Sequence, residues 1–294
     1  MPPKTSKKRL RAAAGPLTPF DERIGRWFME SVGPPSEIQA AVWPVIASGK
    51  HVLMTAPTGS GKTLAAFLWA LNQLLTGQWP GHGPRVLYVS PLKALNTDVR
   101  RNLLTPLDEL LPLFADDEGR PPTIRVLTRS GDTPQSERRR MLRQPPEILI
   151  TTPESLNLLL NSRGGQSLLG GLRTVILDEV HAVAGAKRGT HLITAVERLV
   201  PLCGEFQRVA LSATVQPLET MAAFVGGYRL TGPTEAPLYA NRPVSIIRAA
   251  AQKTYKIGIH YPDSEKGQPP KKSVWEPLAD AFHAKTRRNR STLI

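Results

Sequence analysis

The sequence predicts an α/β fold, a mainly parallel sheet with helices on both of its faces. Three observations lead to this prediction. Short apolar runs alternate with longer stretches of helical periodicity six times in succession between residues 51 and 227. The runs are apolar almost throughout, as in strands that helices cover on both sides. With 40% hydrophobic and 21% charged residues, the composition is that of an ordinary globular protein and excludes a wholly disordered chain.

The first predicted strand covers residues 51–55 and leads through a glycine-rich turn into a helix over 62–75. Each later strand also precedes a helical stretch, and these strands are predicted at 85–90, 123–130, 147–152, 174–180 and 206–214. Ligands of parallel sheets bind beyond the carboxyl ends of the strands. We therefore expect the chemistry in the loops that follow the strands.

The pattern changes after residue 232, where the segments 232–237 and 263–272 are polar and rich in turn formers. We predict a basic flexible tail over 1–19, an α/β domain over 20–232, and a linker with the incomplete start of a second domain over 233–294. The chain ends in STLI, which has the character of a buried strand.

The formal net charge of +14 lies mostly in the two ends of the chain. Residues 1–11 carry +5, residues 229–294 carry +7, and the body between them carries only +2. Basic ends favour polyanion partners, but a solubility tail is an equal explanation. The single Cys203, the lack of a long apolar segment and the lack of a secretory signal predict a cytoplasmic protein without membrane contacts.

The most specific motif is APTGSGKT at residues 56–63, between a predicted strand and a predicted helix. Its glycines allow a tight turn that points main-chain N–H groups at phosphate oxygens. Lys62 is placed to reach the β- and γ-phosphates, and Thr63 to bind Mg²⁺. The motif thus predicts that ATP and Mg²⁺ are the cofactors, and its nucleotide-binding residues are Thr58, Gly59, Ser60, Gly61, Lys62 and Thr63.

A second motif, DEVH, follows the predicted strand at 174–180. Asp178 is positioned to hold the metal ion, and Glu179 to orient or deprotonate the attacking water. Two adjacent carboxylates are costly beside a triphosphate unless a cation is present, which argues against a purely structural role. We therefore assign catalysis to Glu179, Asp178 and Lys62, and metal binding to Thr63 and Asp178.

These motifs and a third one, Ser212-Ala213-Thr214, occur in a fixed order, each after a strand. This order resembles the first RecA-like domain of superfamily 2 DExH helicases. The likeness is closest to the large helicase-related (Lhr) type over residues 20–230, in the segments SPLKAL (90–95), SGDTP (130–134), PPEILITTPESL (145–156), DEVHAVAGAKRG (178–189) and RVALSATV (208–215). The resemblance implies a RecA-like P-loop NTPase fold, helicase activity and a connection with DNA repair.

The resemblance also implies roles for single residues around the nucleotide. Gln39 stands where the family reads adenine, and Phe20 or Trp27 would either stack on the base or belong to the core. His181 would form a hydrogen bond toward the Ser-Ala-Thr motif or a second domain. Ser212 and Thr214 would couple the ATP site to the nucleic-acid channel.

A third group resembles the family's contacts to one nucleic-acid strand: Lys93, Arg129, Gly131, Asp132, Thr152, Pro153 and Glu154. Contacts of this type reach the backbone and predict binding without sequence preference. Thr152 can also cap the following helix. The arginines of residues 138–143 are interpreted as a solvated helix face. The expected partner is single-stranded or partly duplex DNA, with RNA as the alternative.

Members of the family place ATP between two RecA-like domains, and no motif of the second domain follows residue 232. STLI resembles its first strand. We therefore expect weak ATP binding, slow hydrolysis and no unwinding by this chain alone, unless a partner chain supplies the second domain. Two alternatives remain: a nucleotide- and nucleic-acid-binding module without turnover, and a different superfamily 2 motor.

Overall fold

A computed structural model describes residues 15–91, 99–213, 216–233, 235–249 and 275–287. The chain divides into two compact units, residues 1–251 and residues 252–294. The first unit contains the sheet and the predicted motifs, and in the second the structure describes one helix.

The first unit is built on a seven-stranded sheet in which every neighbouring pair is parallel. Its strands lie in the order β3-β4-β2-β5-β6-β1-β9, and a two-stranded hairpin, β7-β8, lies outside it. The bounds are β1 His51–Thr55, β2 Val86–Val89, β3 Val126–Arg129, β4 Ile148–Thr151, β5 Thr174–Leu177, β6 Gln207–Ser212, β7 Tyr228–Thr231, β8 Leu238–Asn241 and β9 Val244–Arg248. All six predicted strands are in this sheet, which confirms the predicted fold class.

Helices connect the strands, as the periodicity predicts. Their bounds are α1 Glu22–Ser31, α2 Glu37–Ala47, α3 Lys62–Leu75, α4 Thr105–Leu110, α5 Gln135–Arg143, α6 Pro153–Leu160, α7 Arg163–Leu169, α8 Lys187–Cys203 and α9 Leu218–Gly226. A π-helical turn, Arg100–Leu104, precedes α4, and 3₁₀ turns cover Leu111–Phe114 and Val180–Ala182. Within the described parts of the chain, no helix is long and apolar enough to cross a membrane.

Two hydrophobic clusters cover the two faces of the sheet. Val52 and Met54 of β1 belong to the cluster formed with α1, α2, α3 and α4, whereas Leu53 between them belongs to the cluster with α5 to α9. Because successive side chains of a strand point to opposite faces, a strand covered on both sides needs apolar residues at every position. This explains the continuous apolar runs in the sequence.

The predicted end of the α/β domain at residue 232 is too early. Strand β9 pairs in parallel with β1, from His51↔Val244 to Thr55↔Arg248, so the sheet continues into the segment predicted as a linker. Strand β9 was not predicted because it follows the turn-rich segment and the β7-β8 hairpin, with no helix between β8 and β9. A strand paired on only one side within the described residues also needs no continuous apolar pattern.

In the second unit the structure describes helix α10, Trp275–Thr286. The predicted strand STLI lies outside the described residues, and so does the tail over residues 1–14. The start of a second RecA-like domain therefore stays a prediction.

Candidate nucleotide site and adjoining nucleic-acid segments

The carboxyl ends of β1, β6 and β5 meet at one edge of the sheet because these strands are consecutive neighbours. A cavity of about 810 Å³ opens there, which is within the size range of small-molecule sites. All residues predicted to bind nucleotide or metal or to catalyse hydrolysis line it: Gln39, Thr58, Gly59, Ser60, Gly61, Lys62, Thr63, Asp178 and Glu179. They come from three distant segments, so only the fold brings them together.

The loop between β1 and α3 is a tight turn with the form of a phosphate-binding loop. Gly59 and Gly61 have φ angles of +79° and +88°, which glycine adopts without strain. The ammonium group of Lys62 is buried and donates hydrogen bonds to the carbonyls of Ala56 (2.5 Å) and Pro57 (3.0 Å). Helix α3 begins at Lys62, so its unpaired N–H groups and the positive end of its dipole lie beside the turn.

Two hydroxyl groups of this segment fit the predicted cofactors. Ser60 Oγ is buried and has no hydrogen-bond partner among the described residues, which is costly unless a ligand oxygen accepts its proton. Thr63 is half-buried and lines the same cavity as Asp178. A hydroxyl, one carboxylate and the substrate phosphates are a common ligand set for Mg²⁺. Within the described residues, no cluster of three or more His, Cys, Asp or Glu side chains would hold a metal alone.

Gln39 joins the start of α2 to the phosphate loop. Its Oε1 accepts a hydrogen bond from the main-chain N–H of Ser36 (2.9 Å), and its Nε2 donates to the carbonyl of Gly61 (3.3 Å). The Ser36 hydroxyl also donates to the carbonyl of Ser60 (2.9 Å). Gln39 is thus buried and holds the loop in place, a role the sequence did not predict. Its role in reading adenine stays a prediction.

Asp178 lies at the carboxyl end of β5 and is buried. Its carboxylate accepts hydrogen bonds from the hydroxyl of Tyr88 and from the main-chain N–H of Glu179 (2.8 Å). Burial raises the pKa of Asp178, the Tyr88 hydrogen bond opposes this, and the charge of Glu179 adds to it. A carboxylate that burial makes costly to ionise is stabilised by a nearby cation, and Asp178 therefore suits the predicted metal site.

Glu179 and His181 connect the cavity to the end of β6. Glu179 has a φ of +47° and is the only non-glycine residue with positive φ among the described residues, which marks a constrained backbone. His181 Nδ1 accepts from the main-chain N–H of Ala213 (3.2 Å), and its Nε2 lies 3.2 Å from Glu179 Oε2. The neutral ring therefore carries its proton on Nε2, since Nδ1 is an acceptor.

The predicted hydrogen bond of His181 toward the Ser-Ala-Thr motif is thus present. Ser212 is buried, and its hydroxyl donates to the carbonyl of Ala213 (2.9 Å), as does the Thr55 hydroxyl (3.1 Å). Thr214 lies outside the described residues. That His181, Ser212 and Thr214 couple the two sites stays a prediction.

The predicted nucleic-acid residues that are described lie at or just beyond the carboxyl ends of β3 and β4: Arg129, Gly131, Asp132, Thr152, Pro153 and Glu154. Lys93 lies outside the described residues. Thr152 caps α6 by accepting from the N–H of Ser155 (3.3 Å), as its position predicts. The carboxylate of Glu154 pairs with Arg188 (2.8 Å). Their contact with nucleic acid stays a prediction.

The four arginines interpreted as a solvated face divide into two groups. Arg139, Arg140 and Arg143 are exposed, as expected. Arg138 is half-buried, and its guanidinium donates to the carbonyls of Thr133 (2.7 Å) and Gly131 (2.7 Å). It therefore shapes the loop after β3, and the interpretation as a solvated residue is wrong for Arg138.

The structure separates the two aromatic residues suggested for base stacking. Phe20 packs edge-on against Trp43 and Trp69, with ring centroids 5.0 and 5.8 Å apart, and belongs to the core. Trp27 lines the cavity and donates a hydrogen bond from its Nε1 to Glu109 (2.7 Å). Both residues are less than a tenth exposed. Because both are buried aromatic residues, their sequence pattern does not tell which of them lines the cavity.

Several residues of the site were missed by the sequence analysis. Tyr88 binds Asp178, and its polar hydroxyl near the end of an apolar strand was a usable signal. Arg101, Asn102 and Glu109 line the cavity from the π-helical turn and α4. Nothing in their local pattern distinguishes them from ordinary helix-surface residues.

A family model of the DEAD/DEAH box helicases matches residues 36–222, which is more than half of the chain. Among curated proteins, the Lhr helicase/probable uracil glycosylase of Mycolicibacterium smegmatis is 44% identical over 265 residues, covering 89% of this chain and 17% of that protein. The ATP-dependent helicase Lhr-Core protein 2 of Thermococcus barophilus is 46% identical over 212 residues, covering 71% of this chain and 25% of that protein. The chain thus spans less than a third of the length of these relatives.

Solved structures agree with the fold. The Mycobacterium smegmatis helicase Lhr bound to ssDNA and AMP-PNP matches with a TM-score of 0.77 and 42% identity, covering 95% of this chain and 34% of that chain. The DEAD-box helicase Mss116 bound to ssRNA and UDP-BeF matches with a TM-score of 0.63 at 15% identity, covering 82% and 46%, a likeness of fold alone. The predicted RecA-like architecture of the first unit is confirmed.

Proposed function

Because the chain belongs to the DEAD/DEAH box helicase family, we propose that it is the ATP-binding lobe of an Lhr-type nucleic-acid helicase. Such a lobe couples ATP hydrolysis to strand separation. The observation that supports this best is the single cavity lined by all nine residues assigned to nucleotide, metal and catalysis. A chance glycine-rich turn would not bring a buried carboxylate and a distant glutamine to the same edge.

Each residue has a chemical task in this proposal. The Lys62 ammonium and the N–H groups at the start of α3 bind the phosphates of ATP. Thr63 and Asp178 would hold Mg²⁺, which would neutralise charge on the phosphate oxygens. Glu179 would orient or deprotonate the attacking water. His181, 3.2 Å from Glu179, carries the state of the site to the Ser-Ala-Thr motif.

For the nucleic acid we propose single-stranded or partly duplex DNA, with RNA as the alternative. The helicase Lhr solved with ssDNA and AMP-PNP shares 42% identity with this chain, whereas the ssRNA-bound Mss116 shares only the fold. Binding through the segments after β2, β3 and β4 would reach the backbone and carry no base code. We therefore expect affinity that depends on salt and little on sequence.

The chain spans 17–31% of the length of the Lhr-type curated relatives. We propose that a second RecA-like domain, from further chain or from a partner chain, completes the motor and that the protein acts in the cytoplasm. Loss of an arginine finger costs on the order of 10³–10⁵ in rate in GTPases. We therefore expect slow ATP hydrolysis and no duplex unwinding by these 294 residues. The short span also favours a second candidate, a binding module without turnover.

ATPase assays with and without single-stranded DNA separate the two candidates. The enzyme predicts hydrolysis that DNA stimulates. Lys62→Ala should weaken binding of an ATP analogue by at least about tenfold, since it removes a charge-assisted phosphate contact. Glu179→Gln should keep nucleotide binding but lower the rate by roughly 10²–10⁴, the range for a lost general base.

Lys50→Ala is the matched control because Lys50 is an exposed lysine just before β1. It should leave both quantities unchanged. A binding module would instead retain DNA and nucleotide with no turnover in the wild-type chain. Strand separation by the purified chain alone would contradict the expected dependence on a second domain.

A further inference from the structure

The sheet order separates the ATP site from most of the predicted nucleic-acid segments. The nucleotide cavity is lined from the ends of β1, β5 and β2, whereas the described nucleic-acid residues lie at the ends of β3 and β4. A lobe that couples the two needs a contact that joins them. The sequence assigns no residue to this task beyond the Ser-Ala-Thr motif and His181.

Arg188 contacts the segments that follow β2 and β4. It lies in the first turn of α8, shortly after the Asp178–Glu179 pair. Its Nε donates to Glu154 Oε1 (2.8 Å) in the first turn of α6, and an Nη donates to the carbonyl of Pro91 (2.9 Å) in the loop after β2. One guanidinium therefore fixes two of the nucleic-acid segments at once.

The pair with Glu154 is ionic. Partial burial raises the pKa of Glu154, but the Arg188 hydrogen bond and charge, with the helix start, outweigh it and the pKa is lowered. Both side chains remain about half exposed, at 50% and 52%, so the pair contributes little to global stability. What the pair does is to hold the start of α8 against the start of α6.

The main chain next to Arg188 packs closely against the segment that follows Glu179. A Cβ on Gly189 would lie 2.2 Å from the carbonyl oxygen of Val183, so only glycine allows the start of α8 to approach this closely. We expect a shift of the Asp178–Glu179 segment that displaces Val183 to move the start of α8 and, with it, Arg188.

Helices α6 and α8 are also joined further along. The buried Asn157 donates to the carbonyls of Pro153 (3.0 Å) and His191 (3.3 Å), and Arg198 donates to Asn161 Oδ1 (2.9 Å). The two helices are thus tied at both ends, and the Arg188 end is the one that faces the nucleic-acid segments.

We propose that Arg188 is a positioning residue that couples the catalytic acid segment to the nucleic-acid segments at Pro91 and Glu154, without itself binding a phosphate. This inference rests on the proposed function, because it assumes that these segments contact a nucleic-acid strand. It assigns Glu154 to holding Arg188 rather than to direct contact.

The test compares Arg188→Ala, Glu154→Gln and the control Arg139→Ala, an exposed arginine of α5. The first two variants change the net charge in opposite directions. Measured on the full chain with a fluorescent oligo-dT and an ATP analogue, both should raise the Kd for DNA roughly three- to fivefold, the effect of one surface ion pair. The Kd for the ATP analogue without DNA and the thermal midpoint should not change, whereas both would change if the residue only supported the fold. The factor by which DNA tightens binding of the analogue should fall in both variants.

Direct phosphate contact by Arg188 gives a different pattern. Arg188→Ala would then lower the slope of log Kd against log salt by about 0.7, and Glu154→Gln would leave binding equal or tighter. Glu154 cannot accept a hydrogen bond from the sugar, because DNA has no 2′-hydroxyl. Weaker binding by Glu154→Gln therefore cannot come from the loss of such a contact. A lower salt slope for Arg188→Ala together with equal or tighter binding by Glu154→Gln would refute the positioning role of Arg188 but not the proposed function. Equal Kd values for Arg188→Ala and Arg139→Ala would do the same. Failure of the wild-type chain to bind the oligonucleotide overturns the proposed function itself.

Discussion

Replacement of Gly61 by alanine measures how tightly Gln39 is packed against the phosphate loop. Gly61 has a φ of +88°, and the left-handed region costs an alanine about 1–2 kcal/mol. Its Cβ would also lie 2.6 Å from Nε2 of Gln39. This buried amide would have to move and lose its hydrogen bond to the Gly61 carbonyl, at about 1–2 kcal/mol. We expect Gly61→Ala to lower the free energy of unfolding by about 2–4 kcal/mol.

Gly59→Ala is the matched control. Gly59 lies in the same loop with a φ of +79°, but its Cβ would meet no atom within 4 Å. It should therefore cost only the backbone term of about 1–2 kcal/mol. Urea denaturation without nucleotide measures both changes, and the m-value checks that the unfolded states are comparable.

A double-mutant cycle with Gln39→Ala isolates the clash. Without the Gln39 side chain, the cost of Gly61→Ala should fall to that of Gly59→Ala. Equal costs for the two glycine variants in the wild-type background would refute the reasoning. An unchanged cost of Gly61→Ala beside Ala at position 39 would refute it as well.

Two further predictions concern charged groups away from the cavity. Glu197→Gln should destabilise the chain by roughly 2–4 kcal/mol, because Glu197 accepts from Arg208 (2.8 Å) and Arg242 (2.9 Å), whose side chains are 0% and 3% exposed. Asp21 caps α1 by accepting from the main-chain N–H of Arg23, and it pairs with the Arg23 guanidinium (2.8 Å). Asp21→Asn should cost less than about 1 kcal/mol at neutral pH, since asparagine keeps the helix cap but loses the ion pair. The Arg23 hydrogen bond lowers the pKa of Asp21 below its ordinary value, so this stabilisation is present above the unfolded-state pKa and disappears as the pH falls through the folded-state pKa.

Both predictions have exposed carboxylates as controls. Glu219→Gln and Asp117→Asn replace exposed side chains and should change the midpoint of urea denaturation very little. A Glu197→Gln variant as stable as Glu219→Gln would mean that water satisfies the two guanidinium groups. A cost of Asp21→Asn that persists unchanged at low pH would show that the ion pair does not stabilise the chain.

Local patterns were sufficient for most of the sheet and the nucleotide loop. The apolar runs located six strands because burial on both faces demands apolar side chains at every position. The glycine-rich turn located the phosphate loop because its backbone angles require glycine. Strand β9 was not predicted, because it follows a hairpin directly and therefore lacks the strand-then-helix pattern that identified the other strands.

Side-chain partnerships were beyond local patterns. An arginine on a helix surface has the same local pattern whether it is solvated, like Arg139, or holds a loop, like Arg138. The same is true of Arg188, whose acceptors Pro91 and Glu154 are distant in sequence. Trp27 and Phe20 were equally indistinguishable until the positions of α1 and α4 were known.

The sequence by itself therefore determined the alternation of strands and helices, the phosphate-binding turn and the pair of acidic residues that follows a distant strand. These depend on burial and backbone angles, which act within a few residues. Only the tertiary structure decided that β1, β6 and β5 are neighbours, that Gln39 holds the loop and that Arg188 joins two segments. Contacts between distant residues depend on strand order and helix packing, which no local pattern records.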